Sequence, residues 1–417
     1  MQVVVVGGGV VGLSTAYFLL RTGADVTVLT DHEAGDGASG VNAGWIAPSL
    51  SGPVPAPGVL SGSLRWILRP DSPFYVRPRV DPGFLRWLLA FRSNCNARTY
   101  AAGLEALAAL NRRTLELYDL LRADGLEIDE HQSGLLMAYR SPRDADHEVA
   151  ESAWLRRFGL PDPVPGRPQD LEPLLSDEIQ GAYMLPAERH VDPRMLTAAL
   201  VQAIARRGGR VLTGTRVVRV EPGRTSGGDL DGARAVTVVG VDDQWPAHAV
   251  VVAAGAWTPT LLRDARVRIP IIGGKGYGLD FEPAPVALRQ PLYLHDDRVA
   301  ASPYDGRLRL SGTMELAGLD VSVSRRRVEA IARAGARYLR GWPAGARPVR
   351  VAAGLRPLTP DGLPVIGAVP RTMGVWVASG HSMLGVTLGP ATGEALAAAM
   401  TGSAPDVLRP FDPDRFA

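Results

Sequence analysis

Lysine and cysteine each occur once in this chain, as Lys275 and Cys95. A single thiol excludes an internal disulfide and any thiolate cluster around zinc, and it fits a reducing compartment. No apolar run is long enough to span a bilayer as a helix. No long basic run exists either, and a net charge of +2 gives no footing for nucleic acid. The opening "MQVVVVGGG" has neither the charged n-region nor the cleavage site of a secretory signal. Together these absences predict a cytoplasmic protein with no metal centre, no nucleic-acid partner and no transmembrane segment.

What is present suits an ordinary globular enzyme, with 46% hydrophobic and 21% charged residues. A length of 417 residues is long for one core and comfortable for two domains. Of the 45 Lys and Arg, all but Lys275 are arginine, an imbalance that a genome-wide drift toward arginine explains. The exception lies in "IPIIGGKGYGLDF".

The first residues read as a strand (Val3 to Val6), a glycine turn and a helix with apolar residues at Val11, Phe18 and Leu19. Gly23 ends that helix and "DVTVL" follows as a second strand, which makes a parallel β-α-β unit. The next section, "GDGASGVNAGWIAPSLSGPVPAPG", is too long for a simple connector; its Asn42, Trp45 and Ile46 favour a functional loop. From Leu60 to about Gly125 the pattern is helical, and "GLLMAYR" reads as a strand. "HVDPRMLTAALVQAIARRGG" is a helix capped by Asp192, with Pro193 in its first turn and Gly208 at its end. "RVLTGTRVVRVE", "RAVTVVGV" and "AVVVAAGAW" supply further strands, and the chain closes with "GVWVASG", a loop and the helix "PATGEALAAAM". The fold class expected is α/β, a nucleotide-binding domain assembled from separated pieces with an α+β domain inserted between them.

Gly7, Gly9 and Gly12 form GxGxxG between the first strand and the first helix. Such glycines give a tight turn, close backbone approach to a pyrophosphate, and helix–strand packing. Free N–H groups at the helix start, from Val10 and Val11 onward, would carry the phosphates. The ribose partner is Thr30 or Asp31 at the end of "VTVLTD"; the alternative for Asp31 is a solvated turn.

Three further stretches narrow the choice of dinucleotide: "GDGASGVNAGWIAP", "VVAAGAW" and "VASGHSMLGVTLGPATG". In this order they resemble the FAD-dependent amine oxidoreductases of the D-amino-acid oxidase family, over nearly the whole chain. "LRWILRP", "DPGFLRWLLAFRSNCNARTY", "HVDPRMLTAAL" and "KGYGL" are most similar to the bacterial D-amino-acid dehydrogenase branch. The resemblance implies a Rossmann-like domain holding FAD in extended form and a discontinuous α+β substrate domain over the flavin. The FAD-binding pieces would be 1–60, 190–265 and 351–417, and the substrate pieces 61–189 and 266–350. It also implies a set of FAD contacts beyond the fingerprint: Ala38, Ser39, Asn42, Ala43, Gly44, Trp45 and Ile46 in the first loop, and Val217, Ala254, Gly255 and Trp257 in the middle of the chain. Near the end, Leu355, Gly380, His381, Met383, Leu384, Gly385 and Val386 complete it. FAD is expected to be non-covalent, because Asn42 stands about where tethering relatives carry a histidine and Cys95 is far from the C-terminus.

Arg356, in "VAAGLRPLTPDGLP", matches the family's carboxylate-binding arginine. A bidentate guanidinium–carboxylate pair would orient an amino acid for hydride transfer from Cα to flavin N5, giving an imine that water hydrolyses to a keto acid and ammonia. The alternative partner for Arg356 is a structural acid such as Asp361. His381 is expected near the pyrimidine end of the flavin, or else as a hydrogen-bonded loop residue. Tyr277 would hydrogen-bond the substrate or belong to the core. Lys275 would stabilise the reduced flavin or form a structural ion pair.

The segment Leu64 to Phe91, with Trp66, Arg86, Trp87 and Phe91, reads as helix packing, or as a peripheral contact with the inner face of a membrane or a quinone-side partner. The partners expected are an amino-acid substrate and an electron acceptor, which is a quinone, a carrier or oxygen. Rival readings are an oxidase or dehydrogenase of glycine, sarcosine or a cyclic imino acid such as proline or hydroxyproline, and a flavin-binding subunit without turnover.

Overall fold

A computed structural model describes residues 1–59, 72–222, 235–263 and 267–416. "LRWILRP" and Trp66 lie outside the described residues. Six strands form one sheet in the order Arg210–Leu212, Asp25–Leu29, Gln2–Val6, Ala249–Val252, Val375–Ser379, Val365–Ala368. The first five run parallel and the last is antiparallel. Gln2–Val6 and Ala249–Val252 are almost wholly valine and buried on both faces, as a central parallel strand requires.

Two helices pack on one side of this sheet, Val10–Arg21 and Gly385–Met400. The second presents Gly385, Gly389 and Gly393 at every fourth position to Val10 and Ser14 of the first. A Cβ on Gly393 would fall 2.7 Å from the Ser14 backbone, so the small residues set the distance between the helices. The second helix starts five residues before the "PATGEALAAAM" expected from sequence, and Pro390 falls inside it. Proline has no N–H to donate to the carbonyl four residues back. That carbonyl, on Val386, instead accepts the buried Tyr118 hydroxyl at 2.8 Å, which lets the helix run through.

A second, nine-stranded sheet carries the other half of the molecule. Its order is Arg350–Leu358, Ile272–Phe281, Arg307–Leu316, Val299–Tyr304, Leu292–Leu294, Leu135–Tyr139, Gly181–Leu185, Val164–Pro165, with Phe74–Val76 beside the end of Arg307–Leu316. Arg350–Leu358, which the sequence division puts with the nucleotide-binding pieces, pairs here along its whole length with Ile272–Phe281. One face packs on helix Arg325–Tyr338 through Tyr277, Leu279, Leu310, Ile331 and Tyr338. The other faces the nucleotide-binding half.

Helix Pro82–Asn94 is capped by Asp81, whose carboxylate accepts from the N–H groups of Gly83 and Phe84. Trp87 is buried, donates to the Pro270 carbonyl at 3.0 Å and stacks on Phe91, as internal packing requires. Among the described residues no helix is long and apolar enough to cross a membrane.

Candidate active site

The glycine fingerprint has the geometry its chemistry needs. Gly7 has φ +122, and a Cβ there would lie 2.4 Å from the Ala253 carbonyl oxygen of the neighbouring strand. A Cβ on Gly12 would lie 2.0 Å from the Gly7 carbonyl, so only glycine brings strand and helix this close. Helix Val10–Arg21 has no side-chain cap from Gly9; Ser39 Oγ reaches in from the next loop and accepts from the Val10 N–H at 3.0 Å. Backbone donors, a positive helix end and a hydroxyl from the "GASG" loop thus converge on one cradle, and the cradle fits a dinucleotide's pyrophosphate. Thr30 packs its side chain on Gly8, while Asp31 is exposed, 4.0 Å from Arg216.

The loop after that cradle is tied to three other segments. Asn42 Nδ2 donates to the Met383 carbonyl at 3.3 Å, and Asn42 Oδ1 accepts from the Gly44 N–H. Thr387 Oγ1 donates to the Trp45 carbonyl and accepts from the Ala47 N–H. Trp45 Nε1 donates to Ser302, and the Ala43 carbonyl accepts from both Ser302 and Tyr304 of the large sheet. Ser382 N–H donates to the Pro357 carbonyl at 2.9 Å, which sets the Gly380–Leu384 loop beside Arg356. Gly255–Trp257 forms a short turn against Arg350–Leu358; Gly255 accepts from Ser379 Oγ and Trp257 is exposed. Ala38, Ser39, Asn42, Ala43, Trp45, Gly255, Leu384 and Arg356 all keep some accessible surface, and the hydrogen bonds and packing above bring their four segments together around one candidate cleft. Ile46 and Val386 pack in the core with Val10, Leu355 is buried, and Val217 packs on a separate cluster with Val4, Val6 and Leu29, from the small sheet formed by Val217–Pro222, Val236–Gly240 and Gln244–Ala247.

Arg356 lies on the face of the large sheet that meets this loop. Antiparallel partners share a face, and Arg356 pairs with Gly274, Gly354 with Gly276 and Ala352 with Gly278. The glycines leave a floor without side chains. A Cβ on Gly354 would strike Val41 at 2.4 Å, and one on Gly276 would sit 2.1 Å from Arg356 Nη1. The guanidinium therefore lies across Gly276. Its Nη1 donates to the Thr313 carbonyl at 2.6 Å, and burial pushes its pKa down to about 10, so it stays cationic at neutral pH. No carboxylate among the described residues pairs with it; Tyr293, packed edge-on against Trp45, lies near it. Asp361, the structural alternative, instead accepts from Arg415 Nε at 2.8 Å.

Two expected site residues are not brought to Arg356. Lys275 and Tyr277 are odd-numbered on a strand whose even-numbered residues form the floor, and a period of two sends them to the opposite face. Lys275 Nζ is buried against Asp320 at 3.2 Å, the Ser322 carbonyl at 3.0 Å and Glu315 at 3.7 Å. Tyr277 donates to Glu315 at 3.0 Å and belongs to the core under helix Arg325–Tyr338. Both take their structural alternatives. His381 stays in the loop beside Arg356, but it is buried, its Nε2 is 2.9 Å from Thr392 Oγ1, and loss of water drops its pKa to about 3. It is a neutral imidazole and brings no positive charge.

The sequence reading missed a buried residue that helps join the two halves. Arg309, 1% exposed, donates through Nη1 to the carbonyls of Gly40 and Asn42, and through Nε and Nη2 to Asp280 at 2.6 and 3.0 Å. "RLRLSG" alternates charge and leucine, a pattern that usually marks a wet strand face. Here the wet face is covered by the cofactor loop.

Comparison with known proteins agrees with this geometry. The family model described as "DAO: FAD dependent oxidoreductase" matches residues 2–399. A D-amino acid dehydrogenase of Xanthobacter autotrophicus is 32% identical over 98% of this chain and 97% of its own length. One from Cereibacter sphaeroides is 33% identical over 98% and 93%. Among solved structures, glycine oxidase from Geobacillus kaustophilus matches with a TM-score of 0.77 at 22% identity, covering 100% of this chain and 99% of that one. L-proline dehydrogenase from P. horikoshii matches with 0.73 at 19% identity, covering 100% and 97%; at such identities the likeness speaks for the fold. A match over nearly the full length, on a chain whose glycine cradle and cleft are both in place, makes this protein a member of the DAO family of FAD-dependent oxidoreductases.

Proposed function

We propose that this enzyme oxidises small D-amino acids to their imines, which hydrolyse to keto acids and ammonia, with FAD held non-covalently between the glycine cradle and the glycine-floored face of the large sheet. The observation that carries the reading is Arg356: a partly buried cation without a carboxylate partner among the described residues, lying across Gly276 beside loops 38–46 and 380–384. A guanidinium stripped of water gains most from a ligand that is anionic and planar, and a carboxylate is both.

The bound flavin supplies the two-electron acceptor for a hydride from Cα. The protein's own part is to bind and orient. Arg356 holds the substrate carboxylate, and the Thr313 carbonyl fixes Nη1 so that the fork has one direction. Gly276 and Gly354 keep side chains off the floor where substrate and ring must approach. The 42–47 loop, pinned by Thr387, Ser302 and Tyr304, closes the cleft against water. His381, uncharged, orients the loop through Thr392 rather than acting on the proton. Non-covalent binding is supported by Asn42, whose amide is committed to Met383 and Gly44, and by Cys95, whose Sγ bonds the Phe91 carbonyl at a helix end.

The names of the curated relatives support D-amino acids as substrates and an acceptor other than oxygen. Glycine or a cyclic imino acid would present the same carboxylate to Arg356 and is the second reading, favoured by the fold shared with glycine oxidase and L-proline dehydrogenase. Anaerobic addition of paired D- and L-amino acids, glycine and proline to the yellow holoenzyme tests all of these. Bleaching by D-alanine but not L-alanine is the expected result. Bleaching by glycine or proline alone establishes the second reading, and no bleaching by any amine overturns both.

A further inference from the structure

The strand that holds Arg356 in place is itself irregular at the point of contact. Between Ile272–Phe281 and Arg307–Leu316 the register runs Lys275 to Glu315 and then Tyr277 to Gly312. One strand advances two residues while the other advances three. The extra residue makes a β-bulge at Thr313 and Met314, opposite Gly276. Thr313 has φ +69, a left-handed conformation that a β-branched residue adopts only under constraint. Its carbonyl is the one that accepts from Arg356 Nη1.

The Met314 N–H of the bulge donates to the Pro73 carbonyl at 2.7 Å, and further contacts lie on the face opposite Arg356. Glu315 Oε2 accepts from Tyr277 on one side of the bulge and faces Lys275 Nζ, at 3.7 Å, on the other. Arg327 Nε adds a contact at 3.2 Å, and Lys275 continues to Asp320 and the Ser322 carbonyl. Lys275, Tyr277, Glu315 and Arg327 are all nearly inaccessible to water. Breaking a buried ion pair by removing one partner leaves a stranded charge, so such a cluster holds its geometry stiffly.

We infer that Glu315 and Lys275 are positioning residues for substrate binding: by clamping the bulge from behind, they keep Thr313 left-handed and its carbonyl aimed at Arg356, which presents the guanidinium fork in one orientation. This inference rests on the proposed role of Arg356 as carboxylate ligand. It gives the chain's one lysine a task on the far side of the strand from the cleft.

The test uses Glu315→Gln and Lys275→Met in the FAD-loaded enzyme, with acetate as a minimal carboxylate and acetamide as its uncharged counterpart. Binding is read from the change in the visible flavin spectrum. The acetate Kd is expected to rise at least fivefold in each variant while acetamide responds as in the wild type; the KM for D-alanine rises with kcat within about threefold. An acetate Kd unchanged in a variant that retains FAD overturns the inference. Loss of FAD from both variants overturns it too, because the cluster would then support the whole fold rather than Arg356. A wild-type spectrum that acetate does not perturb, with D-alanine also failing to bleach it, overturns instead the proposed role of Arg356, a failure visible before any variant is made.

Discussion

Gly276 and Arg356 occupy one volume: the space where a Cβ of residue 276 would stand is 2.1 Å from Nη1 and 2.5 Å from Cζ of the arginine. The obstacle is the end of a flexible side chain, not backbone. A Gly276→Ala protein should therefore fold and bind FAD with little change in Tm, while Arg356 is pushed out of register. The expected result is a KM for amino acid raised at least tenfold, about 1.4 kcal/mol of lost binding. Steady-state kinetics alongside a melting curve checks this; an unchanged KM would show that Arg356 does not act from this position.

Arg356 itself should matter more. Replacing it with alanine removes the cation proposed to meet the substrate's acid group, and losses of about 2–5 kcal/mol are usual when one partner of a buried charge pair is truncated. Arg356→Ala should raise KM for D-alanine by roughly 30-fold or more. Arg356→Lys should recover only part of this, since an ammonium cannot reproduce the planar two-point contact. Kinetics of the two variants that coincide with wild type would remove the arginine from the site.

Gly12→Ala is the corresponding test of the cofactor end. Its Cβ would meet the Gly7 carbonyl oxygen at 2.0 Å, and backbone on both sides cannot yield as a side-chain tip can. The variant should purify colourless or lose its yellow colour on dialysis. Measured FAD per chain equal to wild type would contradict the close approach.

These contrasts show how much of the site the sequence carried. Gly7, Gly9 and Gly12 were legible because a strand, a turn and a helix in immediate succession leave one use for that spacing. Arg356 stands out in the sequence because a guanidinium among small and apolar residues calls for an anion, and its structural alternative, Asp361, is engaged by Arg415. For Lys275 and Tyr277 the sequence leaves two readings open for a plain physical reason: a strand puts neighbouring residues on opposite faces, and "KGYGL" does not say which face meets the 38–46 loop. Arg309 was invisible because its partners, Asp280 and the carbonyls of Gly40 and Asn42, lie 29 and more than 260 residues away. Pro390 hid the true start of the last helix, since nothing local announces that Tyr118 will satisfy Val386.

Arg309→Met should uncouple the two halves. It removes the two shortest contacts of Asp280, leaving that carboxylate Arg307 at 3.2 Å and Arg194 at 3.5 Å, and it frees the Gly40 and Asn42 carbonyls. A cost on the order of 2 kcal/mol is expected from losing these charge-assisted hydrogen bonds. FAD should dissociate more readily and the melting temperature of the holoenzyme should fall by several degrees. Equal FAD affinity in wild type and variant would show that the loop keeps its shape without the arginine.

Glu188 sets a pH dependence of stability whose sign can be worked out. Its side chain is buried, Oε1 accepts from the Ser49 N–H at 3.0 Å, and Oε2 has no hydrogen-bond partner among the described residues. Burial raises its pKa to about 7, against an ordinary glutamate value near 4.5. Below the unfolded pKa both states are protonated and the group costs nothing. As pH rises toward 7 the unfolded chain releases the proton first, and above 7 the folded protein must hold a buried anion. Stability contributed by the neutral acid is thus lost between about pH 4.5 and pH 7, on the order of 3 kcal/mol in all. Glu188→Gln keeps the carbonyl oxygen for Ser49 and cannot ionise, so its melting temperature should exceed that of wild type at pH 8 and the gap should close toward pH 5. A gap that stays constant across this range would mean that the Glu188 carboxyl does not titrate in the folded protein where its burial places it.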